Sequence, residues 1–169
     1  SDVCSSDLGN MSIPGTFKGV IYDITPPVLS FVSPNSGDWI NNQKMEMKTN
    51  EPLQRWSIRV KSQGGVPDVN SPHSHIFQDT VQVANAQDLI NYFQLQDGSM
   101  YLFEMIGFDL AGNVSETVIL DSIRYDVTPP VITMIYPFNN EAINNPSVSY
   151  AISERLAVGE ILWTQIEGS

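Results

Sequence analysis

Tyr22-Asp23-Ile24-Thr25-Pro26-Pro27-Val28 returns, 103 residues later, as Tyr125-Asp126-Val127-Thr128-Pro129-Pro130-Val131. Outward from this pair, Gly9-Asn10-Met11-Ser12 falls on Gly112-Asn113-Val114-Ser115, and Ile40-Asn41-Asn42 on Ile143-Asn144-Asn145. Glu51, Leu53 and Ile58 fall on Glu154, Leu156 and Ile161. Residues 9–66 align with 112–169 without a gap, and 17 of the 58 positions are identical. A fixed period of this kind means an array of structural units. The unit is too long for a helical solenoid repeat and has the length of one β-sandwich domain of about 100 residues.

Between these anchors the sequence alternates with period two. The run 28–32 is apolar and follows the proline pair directly; 44–49 sets Met45 and Met47 on one side; 56–60 does the same with Trp56, Ile58 and Val60. In the second copy Val148, Tyr150 and Ile152 alternate, as do Ile161 and Trp163. The runs 101–108 and 114–125 flank Asp109-Leu110-Ala111-Gly112-Asn113, a hairpin with a Gly-Asn turn in which Gly112 supplies the positive φ. The stretch 84–95 admits a helix or a strand; the Asp97-Gly98 break and the strand opening at Tyr101 favour a strand over 89–95. Asp97-Gly98-Ser99-Met100-Tyr101 predicts a tyrosine corner, its hydroxyl bonding back to an upstream backbone group. Trp56 and Trp163 are expected as core anchors, because large aromatics dominate sandwich cores. Alternation with one buried face predicts an all-β fold of tandem immunoglobulin-like antiparallel β-sandwich repeats, one complete and two partial. The division expected is 9–22 as the last strand of a preceding repeat, 23–125 as the complete repeat, and 126–169 as the N-terminal half of the next. That half lacks its last three strands, so it should leave a sheet edge and an apolar face uncovered.

Residues 1–8, Ser-Asp-Val-Cys-Ser-Ser-Asp-Leu, resemble the translation of a common sequencing-library adapter and are set aside from the fold. The one cysteine, Cys4, lies among them, so the other 161 residues offer no disulfide, thiol nucleophile or cysteine metal site. A unit of about 100 residues can bury an adequate core without such staples. With Asp2 and Asp7 removed, 17 acidic residues face 8 basic ones, a net charge of −9. Such a chain repels phosphate backbones and attracts cations, so nucleic acid is a poor partner. No run of 18 apolar residues occurs, and no membrane span is expected in this stretch. Charged residues are scarce and Asn, Ser, Thr and Gln plentiful, which suits the exposed faces of extracellular β-domains.

The chain resembles the bacterial immunoglobulin-like repeats of large, adhesin-like surface and secreted proteins. The motifs that carry the resemblance are Tyr-Asp-x-Thr-Pro-Pro at 22–27 and 125–130 and Phe-Asp-x-Ala-Gly-Asn at 108–113. Ser153-Glu154-x-Leu156, then Gly159-x-Ile161-x-Trp163, and Ser71-Pro72-His73 in the long middle loop also fit. The first copy departs from the pattern with Asn50-Glu51-Pro52-Leu53 and has no glycine before Ile58. The resemblance implies a sandwich fold, a multidomain parent, an extracellular or cell-surface location and no catalytic residues.

Residue by residue, nothing points to an enzyme. No nucleophile elbow, phosphate loop, metalloprotease helix or paired-carboxylate motif occurs, and scattered Ser, His and Asp make no triad. His73 and His75 would share one strand face, but a structural zinc site takes about four ligands, and Asp68 and Asp79 are not evidently placed to complete one; solvated loop histidines are the plainer expectation. The expected metal is calcium at the repeat junction. The start of the first strand, the B–C loop and the F–G loop share one end of such a sandwich, and they carry Asp23, Glu51 and Asp109. Asp126 and Glu154 repeat the first two at the next junction, beside Asp97 or Asn41 and Asn42 from the opposite end of the complete repeat. Calcium takes six to eight oxygens, carboxylate and carbonyl alike. The competing reading has Asp23 and Asp126 cap turns and leaves Glu51 solvated.

The function expected is a non-catalytic extracellular spacer or stalk module whose partners are the neighbouring repeats of its own chain. The proline pair fixes φ, donates no hydrogen bond and forces the preceding residue into extended geometry, so each Thr-Pro-Pro joint resists bending. Two alternatives stay open. An adhesive or carbohydrate-binding module predicts an exposed aromatic patch, for which Trp39, Tyr92 and Phe138 are the candidates. An accessory domain of a secreted hydrolase predicts a catalytic domain elsewhere. Fold alone selects none of them.

Overall fold

The computed structural model of the chain describes residues 15–16, 18–78, 84–156 and 158–164. It is almost entirely β and divides into two units, Ser1–Asp126 and Val127–Ser169.

Two sheets form the first unit. The smaller has the order β1 (Leu29–Ser33), β3 (Lys44–Thr49), β6 (Ala84–Asp88). The larger has the order β2 (Trp39–Ile40), β8 (Val118–Tyr125), β7 (Ser99–Asp109), β4 (Leu53–Gly65), β5 (His73–Phe77). Neighbours are antiparallel except β2 and β8, which run parallel. Alternation drives this layering. Met45 and Met47 of β3, Trp56, Ile58 and Val60 of β4, and Tyr101, Phe103 and Met105 of β7 all turn inward into one cluster. Burying each such side chain stabilises the fold by about 1.5–3 kcal/mol. Along β7 every second residue is buried, and the series includes Gly107. A Cβ there would lie 2.9 Å from Leu29 Cδ2 and 3.0 Å from Leu53 Cδ1, so leucines from both sheets fill the space that glycine leaves. Trp56 lies fully buried and stacks on Phe77 with ring centroids 3.9 Å apart.

The tyrosine corner forms as expected, since Gln96 N donates to the Tyr101 hydroxyl at 2.7 Å. The strand expected over 89–95 does not form. The strand is β6, five residues earlier, and Leu89–Asn91 makes one 3-10 turn. Asp88 causes the break by accepting from Ile90 N. Gln43 then takes both ends of the segment, accepting from Leu89 N through its carbonyl and from Leu95 N through its side chain. Those bonds stand in place of a ladder. Half of the expected strand over 9–22 lies outside the described residues, and the described half, 15–16 and 18–22, carries no strand.

The second unit pairs β9 (Ile132–Tyr136) with β10 (Ser149–Ile152). Its register is that of β1 and β3 moved along by 103 residues. Leu29↔Thr49 and Phe31↔Met47 match Ile132↔Ile152 and Met134↔Tyr150, and the register slips at the same next step in both pairs. The turns match too. Gly37 (φ 86°) corresponds to Asn140 (φ 63°), both residue types that tolerate positive φ. Asn35 N donates to Asp38 Oδ2 as Phe138 N does to Glu141 Oε2, and Lys44 N to Asn42 Oδ1 as Ser147 N does to Asn145 Oδ1. The expected alternation of Ile161 and Trp163 makes no strand among the described residues 158–164. In the first unit the matching strand β4 is held between β7 and β5, and no counterparts of those two are described in the second unit. Trp163 is therefore no core anchor and stands 57% exposed.

Candidate functional site

The end of the first unit where the chain enters β1 is built around a buried carboxylate. Asp109 closes the inward series of β7 and is 1% exposed. Its Oδ1 accepts from Ala111 N and Asn113 N, and its Oδ2 from Asn113 Nδ2, all at 2.8 Å. Burial alone would raise the Asp109 carboxyl, but these bonds, with Gly112 N, outweigh it and hold the group below the usual carboxylate range. Gly112 turns the chain at φ 92°, as its glycine predicts. The whole Asp-Leu-Ala-Gly-Asn turn is thus wound about one carboxylate.

Asn113 extends this turn to the incoming chain, its Nδ2 also donating to Asp23 O at 3.1 Å. Asp23 Oδ1 accepts from Thr25 N at 2.9 Å, an Asx turn just before the proline pair. Beyond the prolines, Val28 N donates to Asn50 Oδ1 at 2.7 Å, and Asn50 N donates back to Val28 O at 3.1 Å. The segment from Asp23 to Val28 is fastened at both ends, and Pro27 between them is buried. The second unit repeats the latter latch with a different side chain, Val131 N to Ser153 Oγ at 2.8 Å and Ser153 N to Val131 O at 2.9 Å. Identity counting missed this, because Asn50 and Ser153 differ in name while offering the same acceptor oxygen.

Asp23, Glu51 and Asp109 converge here, with one ligand oxygen from each lying within 4.8 Å of the others. Asp23 and Glu51 line a depression of about 260 Å³ with Ile21, Pro52, Leu110 and Ala111. These residues could hold a cation, which asks for oxygen ligands and negative charge. The local hydrogen bonds also give Asp23 and Asp109 the turn-capping role that competes with that use. Asp126 and Glu154 are not brought into a cluster of three among the described residues. Asp126 ends the first unit with its N–H on Ile40 O, and Glu154 follows the Ser153 latch.

The histidines depart from expectation. His73 opens strand β5 rather than lying in a loop, and it is buried. Its Nε2 lies 2.7 Å from Asp68 Oδ2, the oxygen to which the Tyr101 hydroxyl donates at 2.6 Å. Burial raises Asp68 but the Tyr101 and His73 bonds overcome it, and its carboxyl sits below the usual range. Burial first, then the Asp68 bond, push Tyr101 up to about 12. His75 stacks on Tyr92, ring centroids 3.9 Å apart, so the two histidines serve separate packing contacts. This clasp was not legible in the sequence, since Asp68 and Tyr101 are far apart along the chain.

All three aromatic candidates, Trp39, Tyr92 and Phe138, are exposed. Trp39 stands on β2 at one margin of the larger sheet and Tyr92 packs on β5 at the other, while Phe138 belongs to the second unit. They form no single patch within the first unit. Among the described residues no helix is long and apolar enough to cross a membrane. Comparison with models of known protein families finds no match, and neither does comparison with curated proteins.

Proposed function

We propose that the chain is a non-catalytic spacer: an immunoglobulin-like repeat, with its neighbours, in the stalk of an exported bacterial surface protein. The strand orders support the immunoglobulin-like reading, with β1-β3-β6 in the places of A-B-E and β4-β7-β8 in those of C-F-G. The 103-residue recurrence of register and turns supports the repeat array. The observation that carries the spacer reading is the bond from Asn113 to Asp23 O, by which the last hairpin of the unit holds the segment through which the chain arrives. A joint fastened this way, with two prolines inside it, transmits orientation from one unit to the next. Amide relaxation tests it. The account expects order parameters for Asp23–Val28 near 0.85, as in rigid backbone; values below about 0.6 would make the joint a flexible tether.

The convergence of Asp23, Glu51 and Asp109 favours calcium as an addition to this joint. Two half-buried carboxylates lining an open depression, with the buried Asp109 carboxylate beside them, suit the weak sites of extracellular modules, with Kd of roughly 0.1–1 mM. At about 10 mM calcium a Kd near 1 mM corresponds to a stabilisation of about 1.4 kcal/mol. Thermal unfolding with calcium and with chelator measures it, and equal melting temperatures would remove calcium from the account while leaving the joint intact.

A further inference from the structure

The outward face of the larger sheet concentrates positive charge on an acidic chain. Because Trp56, Ile58 and Val60 turn inward, the residues between and beside them turn out, and on β4 these are Arg55, Ser57, Arg59 and Lys61. With Arg124 of β8, this face holds four of the chain's 8 basic residues, although the net charge is −11. The acidic groups on it are Glu104 and Asp121. Arg59 pairs with Glu104 at 3.5 Å, and Asp121 accepts from Gln63. Among the described residues Arg55 and Lys61 make no ion pair. The Arg55 guanidinium carbon lies 4.1 Å from the centre of the Phe108 ring, a cation–π contact on this face. Six strand steps separate Arg55 from Lys61, about 20 Å at the usual rise. Midway lies a depression of about 230 Å³, lined by Ser57, Arg59, Glu104, Ile106 and Thr117.

We propose that this face binds an acidic polysaccharide laid along β4, with Arg55, Arg59 and Lys61 meeting successive carboxylates and the Ser57–Thr117 depression taking sugar hydroxyls. The guanidinium fork matches a carboxylate in two parallel bonds. A straight row of cations suits an extended polymer. A protein partner would want a charge-poor centre, and here the centre, although Met105 and Ile106 also line it, carries the Arg59–Glu104 pair and two hydroxyls. Duplex nucleic acid carries far denser charge and meets more repulsion from the acidic remainder of the chain. A polymer carrying one charge per sugar or fewer avoids much of this, since charges beyond about 8 Å are screened at physiological salt. The inference is independent of the spacer reading, because a stalk can carry a lateral binding face and a module without stiff joints can carry it too.

The test uses the full chain and polygalacturonate as probe, with neutral dextran and single-stranded DNA as comparisons. Affinity for polygalacturonate is expected to fall steeply with salt, and dextran is expected not to bind. The triple variant Arg55→Gln, Arg59→Gln, Lys61→Gln should lose about tenfold in affinity. The variant Lys18→Gln, Lys44→Gln, Lys48→Gln, with the same change in net charge, should bind as the parent does. The five altered β-strand cations, Lys44, Lys48, Arg55, Arg59 and Lys61, are exposed, as is Lys18, so a circular dichroism spectrum like the parent's is expected for both variants. Equal losses in the two variants would mean that only net charge matters and would overturn the site. So would tighter binding of DNA than of polygalacturonate, or retention that the β4 variant leaves unchanged. Self-association abolished by the β4 variant, without any polysaccharide binding, would reassign the face to a second copy of the chain.

Discussion

Residues 29–49 and 132–152 make the same pair of strands in the same register, with the same slip, a positive-φ residue at the same turn position and the same backbone latch behind the proline pair. Their burial differs completely. Leu29 and Met47 are 6% and 0% exposed, whereas their counterparts Ile132 and Tyr150 are 54% and 42% exposed. The difference lies in what covers them. In the first unit β4, β7 and β8 lay Trp56, Tyr101, Phe103 and Ile123 over the inner face. In the second, no strand beyond β10 is described, and Ile132, Met134, Tyr150 and Ile152 line an open groove of about 620 Å³. Local structure is thus specified locally, by acceptor side chains and turn residues, while stability comes from distant strands that bury the apolar face.

The sharpest way to break this comparison is at the tryptophans. Trp56→Ala should cost about 3–5 kcal/mol in urea unfolding, since the ring is fully buried against Phe77. Trp163→Ala should change the same transition by less than about 0.5 kcal/mol. A large effect at Trp163 would mean that the second unit has a core of its own. Tyr101→Phe comes next. It removes the donor to Asp68 and the acceptor for Gln96 N, and should cost about 1–3 kcal/mol. Asn50→Ala should cost about 1 kcal/mol, whereas Ser153→Ala should leave the main transition unmoved although the two side chains hold equivalent bonds. Equal effects would place both latches in one cooperative unit.

The pH dependence is a milder test confined to the first unit. Asp68 and Asp109 have folded values below their unfolded ones, so the stability they add is present above about pH 4 and is lost as pH falls through their folded range. Tyr101, raised to about 12, adds stability that is present below about pH 10 and fades as pH rises toward its folded value. Unfolding free energy should therefore be nearly level between about pH 5 and 9 and fall on either side. A shallower acid limb in Asp109→Asn, followed by urea titration at each pH, is the expected signature.

Much of this was legible in the sequence because it is periodic or local. The strands at 44–49, 56–60 and 101–108, the Gly112 turn and the tyrosine corner follow from alternation and turn chemistry. The convergence of Asp23, Glu51 and Asp109 followed from knowing which loops of a sandwich share an end. What escaped is non-local. Asn113 reads as a turn residue, and nothing in the sequence says that its amide spans from Asp109 to Asp23 O. His73 reads as a polar loop residue until Asp68 and Tyr101 are folded against it. The run 84–95 failed because one capping residue, Asp88, outweighed the apolar spacing that followed it.

Hydrogen exchange of the full chain, compared between β3 and β10, tests the account most directly. The two strands hold equivalent positions, and the account predicts protection in β3 approaching that of global unfolding, while β10 exchanges orders of magnitude faster through local opening. Equally slow exchange in both would contradict it, because strands without a covered face would then be as stable as those inside the core.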